Sequence, residues 1–416
     1  MDFRRYKSAS IPGHVRGLFV SFHRMNKIIF TEEFCQPENL HPFTLTRQMQ
    51  DIRVGILTIR EKWELLLDMP SYDKKEDDYK DLERSVNVDE VTGDGVSFMI
   101  HGNLLPTSKL IKAILKLKDG EFLSTPAGNG IVYRITKNEV IDKFKIKVGK
   151  AIIFEENIHA IRYPWDIFRL NHWAISQDFG LLTRKKNSHK IPGSNKITGE
   201  GEVFLAKGAS VVNSVINASR GPVYIGKNAV VMEGCMIHGP FAMGEGASLK
   251  MGSKVYGATT LGPYCIGAGE IKNSVMFGYS NKAHDGYLGD SVIGEWCNLG
   301  AGTSNSNMKN NASDIRVWTP VGELNAGLKC GVLMGDYSTT AVNTSINSGT
   351  VIGVGCNVFG TGLTPKYIPH FSWGSEGIKR YELDKLLEDV ISWKKLKGKT
   401  MGPDERSIIE SVFEKY

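Results

Sequence analysis

A six-residue period dominates the second half of this chain, and few folds can be built on it. Stepping by six from Ile225 gives Val231, Ile237, Met243, Leu249, Val255 and Leu261, and all seven positions are apolar. With 41% of the chain hydrophobic, seven such positions in a row at a fixed phase have a chance probability on the order of 1 in 500. Two residues before each stand Val223, Ala229, Cys235, Phe241, Ala247, Ser253 and Thr259, mostly small. Glycine recurs alongside, and the 45 glycines of the 416 residues exceed the usual share of about 7%. A period of six is neither the 3.6 of an α-helix nor the two of a free strand. It fits a left-handed parallel β-helix, in which three hexapeptides make one triangular coil. The regular apolar residue points inward, the small residue sits at a corner, and glycine supplies the turn. No coil buries its own inner face, so stability comes from stacking.

The pattern loosens after residue 262 and resumes at 291–303 and 349–359, so 304–330 reads as an excursion. Beyond Pro365 the texture turns helical at 381–396 and 404–413, with Lys and Arg between apolar residues. The first half mixes strand-like segments (27–30, 96–100, 130–135, 140–148) with helix-like ones (58–67, and 108–118 capped by Ser108). That alternation predicts an α/β domain with a mostly parallel sheet. The polar stretch 71–84 reads as a surface loop or insertion, and 185–196 as a linker. The division expected is an extension over 1–24, an α/β domain over 25–190, a β-helix over 191–362 and a helical arm over 363–416. The extension reads as upstream sequence, either disordered or not the natural start, with the domain beginning at Met25.

A formal charge of +6 suits a protein that handles anionic small molecules. It lacks the basic stripe with interleaved aromatics of a nucleic-acid binder. The six cysteines (Cys35, Cys235, Cys265, Cys297, Cys330, Cys356) form no CxxC pair, so neither zinc nor a disulfide framework is suggested, and a reducing cytoplasm is the expected setting. No apolar run is long enough to span a bilayer.

The string Glu270-Ile271-Lys272-Asn273-Ser274, then Lys282-Ala283-His284-Asp285-Gly286-Tyr287-Leu288-Gly289-Asp290, then Asn298-Leu299-Gly300-Ala301-Gly302-Thr303, closely resembles the acetyltransferase half of the bifunctional enzymes that make UDP-N-acetylglucosamine. The resemblance is dense over about 50 residues. It implies that His284 is the general base, taking a proton as the sugar amine attacks the acetyl thioester of acetyl-CoA. Imidazole suits that task because its ordinary titration lies near neutral pH. It further implies that Lys272 and Tyr287 hold the sugar phosphate, that Asn298 binds the sugar, and that Asn307 lies where sugar and acetyl group meet. Lys254 stands where the family carries a phosphate-binding arginine. Beyond Asn307 the pattern is lost, with Lys309 near the family's next lysine. A homotrimer with acetyl-CoA between neighbouring β-helices is implied as well. The basic residues of the arm (Lys379, Arg380, Lys394, Lys395, Lys397, Lys399) either help hold CoA phosphates or form a solvated face. His238 and His370 read as ordinary.

The first half resembles a divergent branch of the sugar-nucleotide pyrophosphorylases. The Gly-rich loop expected after the first strand is replaced by Leu40-His41-Pro42-Phe43-Thr44-Leu45-Thr46-Arg47, with Lys62 fifteen residues on. The resemblance implies Arg47 on the phosphates of a nucleoside triphosphate and Lys62 on the sugar 1-phosphate or α-phosphate. Asn103 falls at the family's magnesium-binding aspartate, and Asp166 is the candidate for the second Mg²⁺ position. The expected activity is therefore bifunctional, acetylation of glucosamine 1-phosphate and nucleotidyl transfer giving UDP-N-acetylglucosamine. Two rivals stay open. One is a nucleotidyltransferase for another sugar, such as a glucose-1-phosphate thymidylyltransferase, with a structural β-helix. The other is a non-catalytic assembly or nucleotide-sugar-binding module.

Overall fold

The computed structural model describes residues 26–32, 35–74, 84–86, 95–135, 149–377 and 379–416. The strand expected at 140–148 and the extension over 1–24 lie outside them. The chain divides into two compact units. One comprises the chain up to Thr31 with Glu64–His101 and Thr107–Glu156, and the other Glu32–Trp63, Gly102–Pro106 and Asn157–Tyr416.

Among the described residues, nine short strands precede the solenoid: β1 (Lys27–Thr31), β2 (Ser71–Lys74), β3 (Ser85–Val86), β4 (Ser97–His101), β5 (Leu104–Leu105), β6 (Glu121–Ser124), β7 (Gly130–Ile135), β8 (Lys150–Ile153) and β9 (His159–Ala160). The first unit is built on a seven-stranded sheet in the order β3-β2-β1-β4-β7-β6-β8. Only β7 runs antiparallel to its neighbours β4 and β6; the other four pairings are parallel. β1 is buried along its whole length, as a central parallel strand must be. Ile29, Met99, Tyr133 and Ile135 form one core cluster. Ser71–Lys74 is a strand rather than the start of a loop, because β2 pairs in parallel with β1. Its Ser-Tyr-Asp-Lys composition carries little strand signal, and sheet context overrides propensity.

Helix α1 (Ile59–Leu67) starts at a reciprocal box in which Thr58 Oγ1 accepts from the Glu61 N–H and a Glu61 carboxylate oxygen accepts from the Thr58 N–H. Helix α2 (Ser108–Ile114) is capped by Thr107, whose hydroxyl accepts from the Leu110 N–H, one residue before the expected Ser108.

The second unit is a parallel β-solenoid of three sheets, with six, nine and eight strands. The nine-stranded face carries one strand per coil. On the first face Ile197, Ile216, Ile237, Val255, Ile271 and Leu288 stack in one inward column. The seven residues of the six-residue series are all within 2% of full burial, and truncating one such residue to alanine removes about 2–5 kcal/mol. The small-residue series splits by face. Ala229, Cys235, Ala247 and Ser253 precede strands, whereas Val223, Phe241 and Thr259 begin three-residue strands of the second face that turn both ends inward. The period fades after residue 262 because coils shorten. On the second face Met243 is followed by Leu261 after eighteen residues, but Leu261 by Met276 after fifteen. The excursion is an antiparallel hairpin, Arg316–Thr319 with Gly322–Asn325. It is inserted while Ile293 still pairs with Met334 across it.

Segments 32–63, 102–106 and 157–190, all placed before the solenoid in sequence, group with it. Helix α3 (Pro164–Thr183) packs Ile175 against Ala242, with Ile56 in the same cluster. Its Asn171 donates to the Ala258 carbonyl at 2.7 Å and accepts from the Gly55 N–H at 2.7 Å. The arm is α4 (Leu383–Leu396) and α5 (Pro403–Lys415), whose Leu386, Leu387, Val390, Ile409 and Val412 share a core with Val354 and Phe371 of the last coils. No helix among the described residues is long and apolar enough to cross a membrane.

Candidate active site

The six residues expected from the sequence to serve acetyl transfer (Lys254, Lys272, His284, Tyr287, Asn298 and Asn307) fall in the middle coils of the solenoid. Lys272 ends one strand of the first face and is the direct neighbour of Gly289 on the next coil. A Cβ at Gly289 would stand 2.1 Å from the Tyr287 hydroxyl, so the tyrosine ring folds back over this glycine, beside Lys272. Asn307 donates to the Tyr287 hydroxyl at 3.0 Å and to Asp290 at 2.5 Å. Asp290, 3% exposed, takes a second hydrogen bond from Asn273 at 2.6 Å. One buried carboxylate therefore holds the amides of the coils before and after its own. Burial, with Asp290 and Glu270 nearby, pushes the Tyr287 phenol up to about 12. It stays neutral at pH 7 and keeps a proton to donate.

Below Gly289 the ladder passes through a side chain. Asn305 accepts from the Gly289 N–H at 2.9 Å and donates to its carbonyl at 3.0 Å. This amide stands in for a strand backbone at the coil where the excursion begins. His284 is exposed at the corner leading into Tyr287. That corner needs glycine at Gly286, which has φ +123° and no room for a Cβ against the Thr303 carbonyl, 2.1 Å away.

Structure thus joins Tyr287 and Asn307 by a hydrogen bond and sets Lys272 opposite Gly289, with His284 three residues before the tyrosine. Lys254 lies in the same outward column as Tyr287, with Glu270 between them. At the usual strand spacing that is about 10 Å along the axis. Asn298 is on the third face, paired with Asn281, whose amide lies 3.4 Å from its oxygen. Asn281 accepts in turn from Lys397 of the arm at 2.8 Å. The sequence reading missed Asp290, Asn273 and Asn305. Their one legible signal is an acid directly after the Tyr-Leu-Gly strand.

Several of the arm's lysines are engaged within the chain. Lys394 is buried and pairs with Glu405 at 2.7 Å, which also accepts from the Tyr337 hydroxyl at 2.8 Å. Lys399 lies over the Tyr264 and Tyr279 rings at 5.4 and 5.8 Å.

The residues assigned to nucleotide chemistry are also in contact with protein groups. Arg47 pairs with Asp336 at 2.5 Å and Glu295 at 3.7 Å, with its guanidinium 4.9 Å from the Phe277 ring centre. Burial pulls this guanidinium down, but the two carboxylates more than offset it and raise its pKa. Lys62 is buried against Asp178, which also accepts from the Ile56 and Leu57 N–H groups. Burial pushes the lysine down and the aspartate up, each opposed by the other. Asp166 caps α3 by accepting from the Arg162 and Tyr163 N–H groups at 2.8 and 3.0 Å. Asn103 accepts from the Cys35 thiol at 3.4 Å. Magnesium demands an octahedron of oxygens. One carboxylate already engaged in a helix cap and one neutral amide do not make that set. Among the described residues no group of three His, Cys, Asp or Glu is placed to hold a metal.

Residues 28–187 match the family model of sugar nucleotidyl transferases. The bifunctional protein GlmU of Methanocaldococcus jannaschii is 28% identical over 248 residues, 55% of each chain. The bifunctional sugar-1-phosphate nucleotidylyltransferase/acetyltransferase of Sulfurisphaera tokodaii is 28% identical over 211 residues, 50% of this chain and 47% of that one. The chain is thus similar to GlmU-type bifunctional proteins over about half of its length. It spans about half the length of the curated relatives it matches. Among solved structures, the polySia-specific acetyltransferase NeuO aligns over 50% of this chain and 99% of its own at 10% identity, with a TM-score of 0.25.

Proposed function

We propose that the solenoid transfers an acetyl group from acetyl-CoA to the amine of glucosamine 1-phosphate. The observation that carries this reading is the Asn307–Tyr287 hydrogen bond, with Lys272 opposite Gly289 on the adjacent coil and the exposed His284 three residues before the tyrosine. Lys272 offers a cation to the phosphate, and the neutral Tyr287 phenol a hydrogen bond. His284 takes the proton from the attacking amine as the new C–N bond forms. The C–S bond breaks, and CoA leaves as the thiol after taking up a proton. The same reading includes Lys254 as a further phosphate contact and Asn298 as a sugar contact. It also includes a homotrimer with acetyl-CoA between neighbouring solenoids, and a cytoplasmic setting.

Nucleotidyl transfer to the sugar 1-phosphate is proposed for the first half on its match to the sugar nucleotidyl transferase family. A second reading has its own support. Arg47 and Lys62 are both held by carboxylates, which favours a chain that acetylates without turning over nucleotide. Pyrophosphate release from UTP and N-acetylglucosamine 1-phosphate separates the two.

The deciding experiment is free-thiol release from acetyl-CoA with glucosamine 1-phosphate, comparing the intact chain with His284→Ala. A fall of about 100-fold or more is expected for a lost general base. No turnover in the intact chain, or equal turnover in the variant, sinks the reading.

A further inference from the structure

The inner column of the third face is uncharged on both sides of one position: Val211, Val231, Leu249 and Gly267 on one side, Leu299, Thr340 and Val358 on the other. Within it, directly after Gly267, stands Lys282. Its side chain is 1% exposed and among the largest fully buried groups of the chain. An ammonium inside such a prism costs several kcal/mol unless it is compensated, whereas a leucine there would add to the core. The lysine's Nζ donates to the His284 carbonyl at 2.5 Å. Burial pushes Lys282 down to about 8, against the pull of Asp285. Buried this deeply, the amine has no route to a substrate. Its reach is confined to the corner that carries His284.

That corner is gripped from both sides. The Asp285 carbonyl, one residue on, accepts from the Gly302 N–H of the following coil at 3.1 Å. Lys282 fixes the peptide at His284 from within, and Gly302 fixes the next peptide from the neighbouring coil. The imidazole therefore stands on a backbone with little freedom to shift. We propose that Lys282 is a positioning residue for acetyl transfer, reaching through the solenoid core to hold the His284 backbone where its imidazole meets the sugar amine. This rests on the acetyl-transfer reading above.

The test is a cycle of Lys282→Met, His284→Ala and the double variant, each assayed for thiol release and by thermal melting. Methionine already fills equivalent inner positions at Met243 and Met334. Lys282→Leu, the residue found in this column at Leu249 and Leu299, serves the same cycle if the methionine chain does not fold. Lys282→Met is expected to melt no earlier than the natural chain. Its kcat should fall about ten- to a hundredfold, with the KM for both substrates little changed. The double variant should be no slower than His284→Ala alone, because both losses act through one imidazole. A purely structural lysine would lower the melting temperature and leave kcat in place. Full kcat in Lys282→Met, or a loss that multiplies with that of His284→Ala, overturns the proposal and leaves the acetyl-transfer reading standing. Full turnover in His284→Ala brings down both.

Discussion

Replacing Gly289 with alanine sets a methyl group against the proposed sugar-phosphate site. The new Cβ would lie 2.1 Å from the Tyr287 hydroxyl oxygen, 2.4 Å from Cζ and 2.7 Å from Cε1. Ordinary contact begins near 3.4 Å, so the hydroxyl must retreat by at least about 1.3 Å. Gly289 is not among the positive-φ glycines, so the backbone itself accepts alanine. The clashing atoms are the tip of a rotatable side chain, and the fold gives way there by turning Tyr287 outward. The stability loss is then one hydrogen bond, that from Asn307 at 3.0 Å, worth about 1 kcal/mol. In a chain of this size that is a fall of no more than about 4 °C in Tm. Activity should suffer more, because a displacement of about 1 Å in a positioning group costs on the order of a hundredfold. The assay is thiol release with glucosamine 1-phosphate varied, run beside Tyr287→Phe. Unchanged kcat/KM in Gly289→Ala, with Tyr287→Phe impaired, would refute the placement of the ring over this glycine. If neither variant is impaired, Tyr287 leaves the site altogether.

Two further outcomes follow from buried charge. Lys62→Met leaves the Asp178 carboxylate buried without its cation, and should cost about 3–5 kcal/mol in denaturant unfolding. The double change Lys62→Met, Asp178→Asn should recover part of it, and a single variant as stable as the natural chain would show that the pair carries no structural load. His370 is 6% exposed, its Nδ1 accepts from the Val354 N–H at 3.0 Å, and burial pushes it down to about 4 from 6.5. Protonation would place a hydrogen on the accepting nitrogen. The unfolded chain takes up that proton first, so the stability contributed is full above pH 6.5 and is withdrawn as pH falls towards 4. That amounts to about 3 kcal/mol. His370→Leu should flatten the pH dependence of Tm over that window, and an unchanged slope would exclude the histidine as its source.

The solenoid was legible because one apolar position per hexapeptide repeats a single physical demand, that each side of each coil face inward. It stopped being legible where corners lose residues, since the register of Leu261 with Met276 survives a shortening that a fixed step of six cannot follow. Of the string that drew attention in the sequence, Tyr287 and Asn307 are hydrogen-bonded and Lys272 stands opposite Gly289. Asp290 stayed hidden because a carboxylate that orders two amides looks like any corner acid until the coils are stacked. The partners of Arg47 and Lys62 were beyond reach for another reason. Asp336 and Asp178 lie 289 and 116 residues away in sequence, and no local pattern announces a pairing at that distance. Even the polar start of β2 became a strand only through β1.

The hairpin at 316–325 interrupts a coil that closes as though nothing had been added, with Ile293 still against Met334 and Asn298 still against Thr339. A stack held together coil against coil is indifferent to the length of chain that leaves and returns at a corner. The tip of that hairpin, with Val321 65% exposed and Gly322 facing open space, is thus a ready insertion point. A peptide tag or a small folded module spliced there would ride on the solenoid without entering its register.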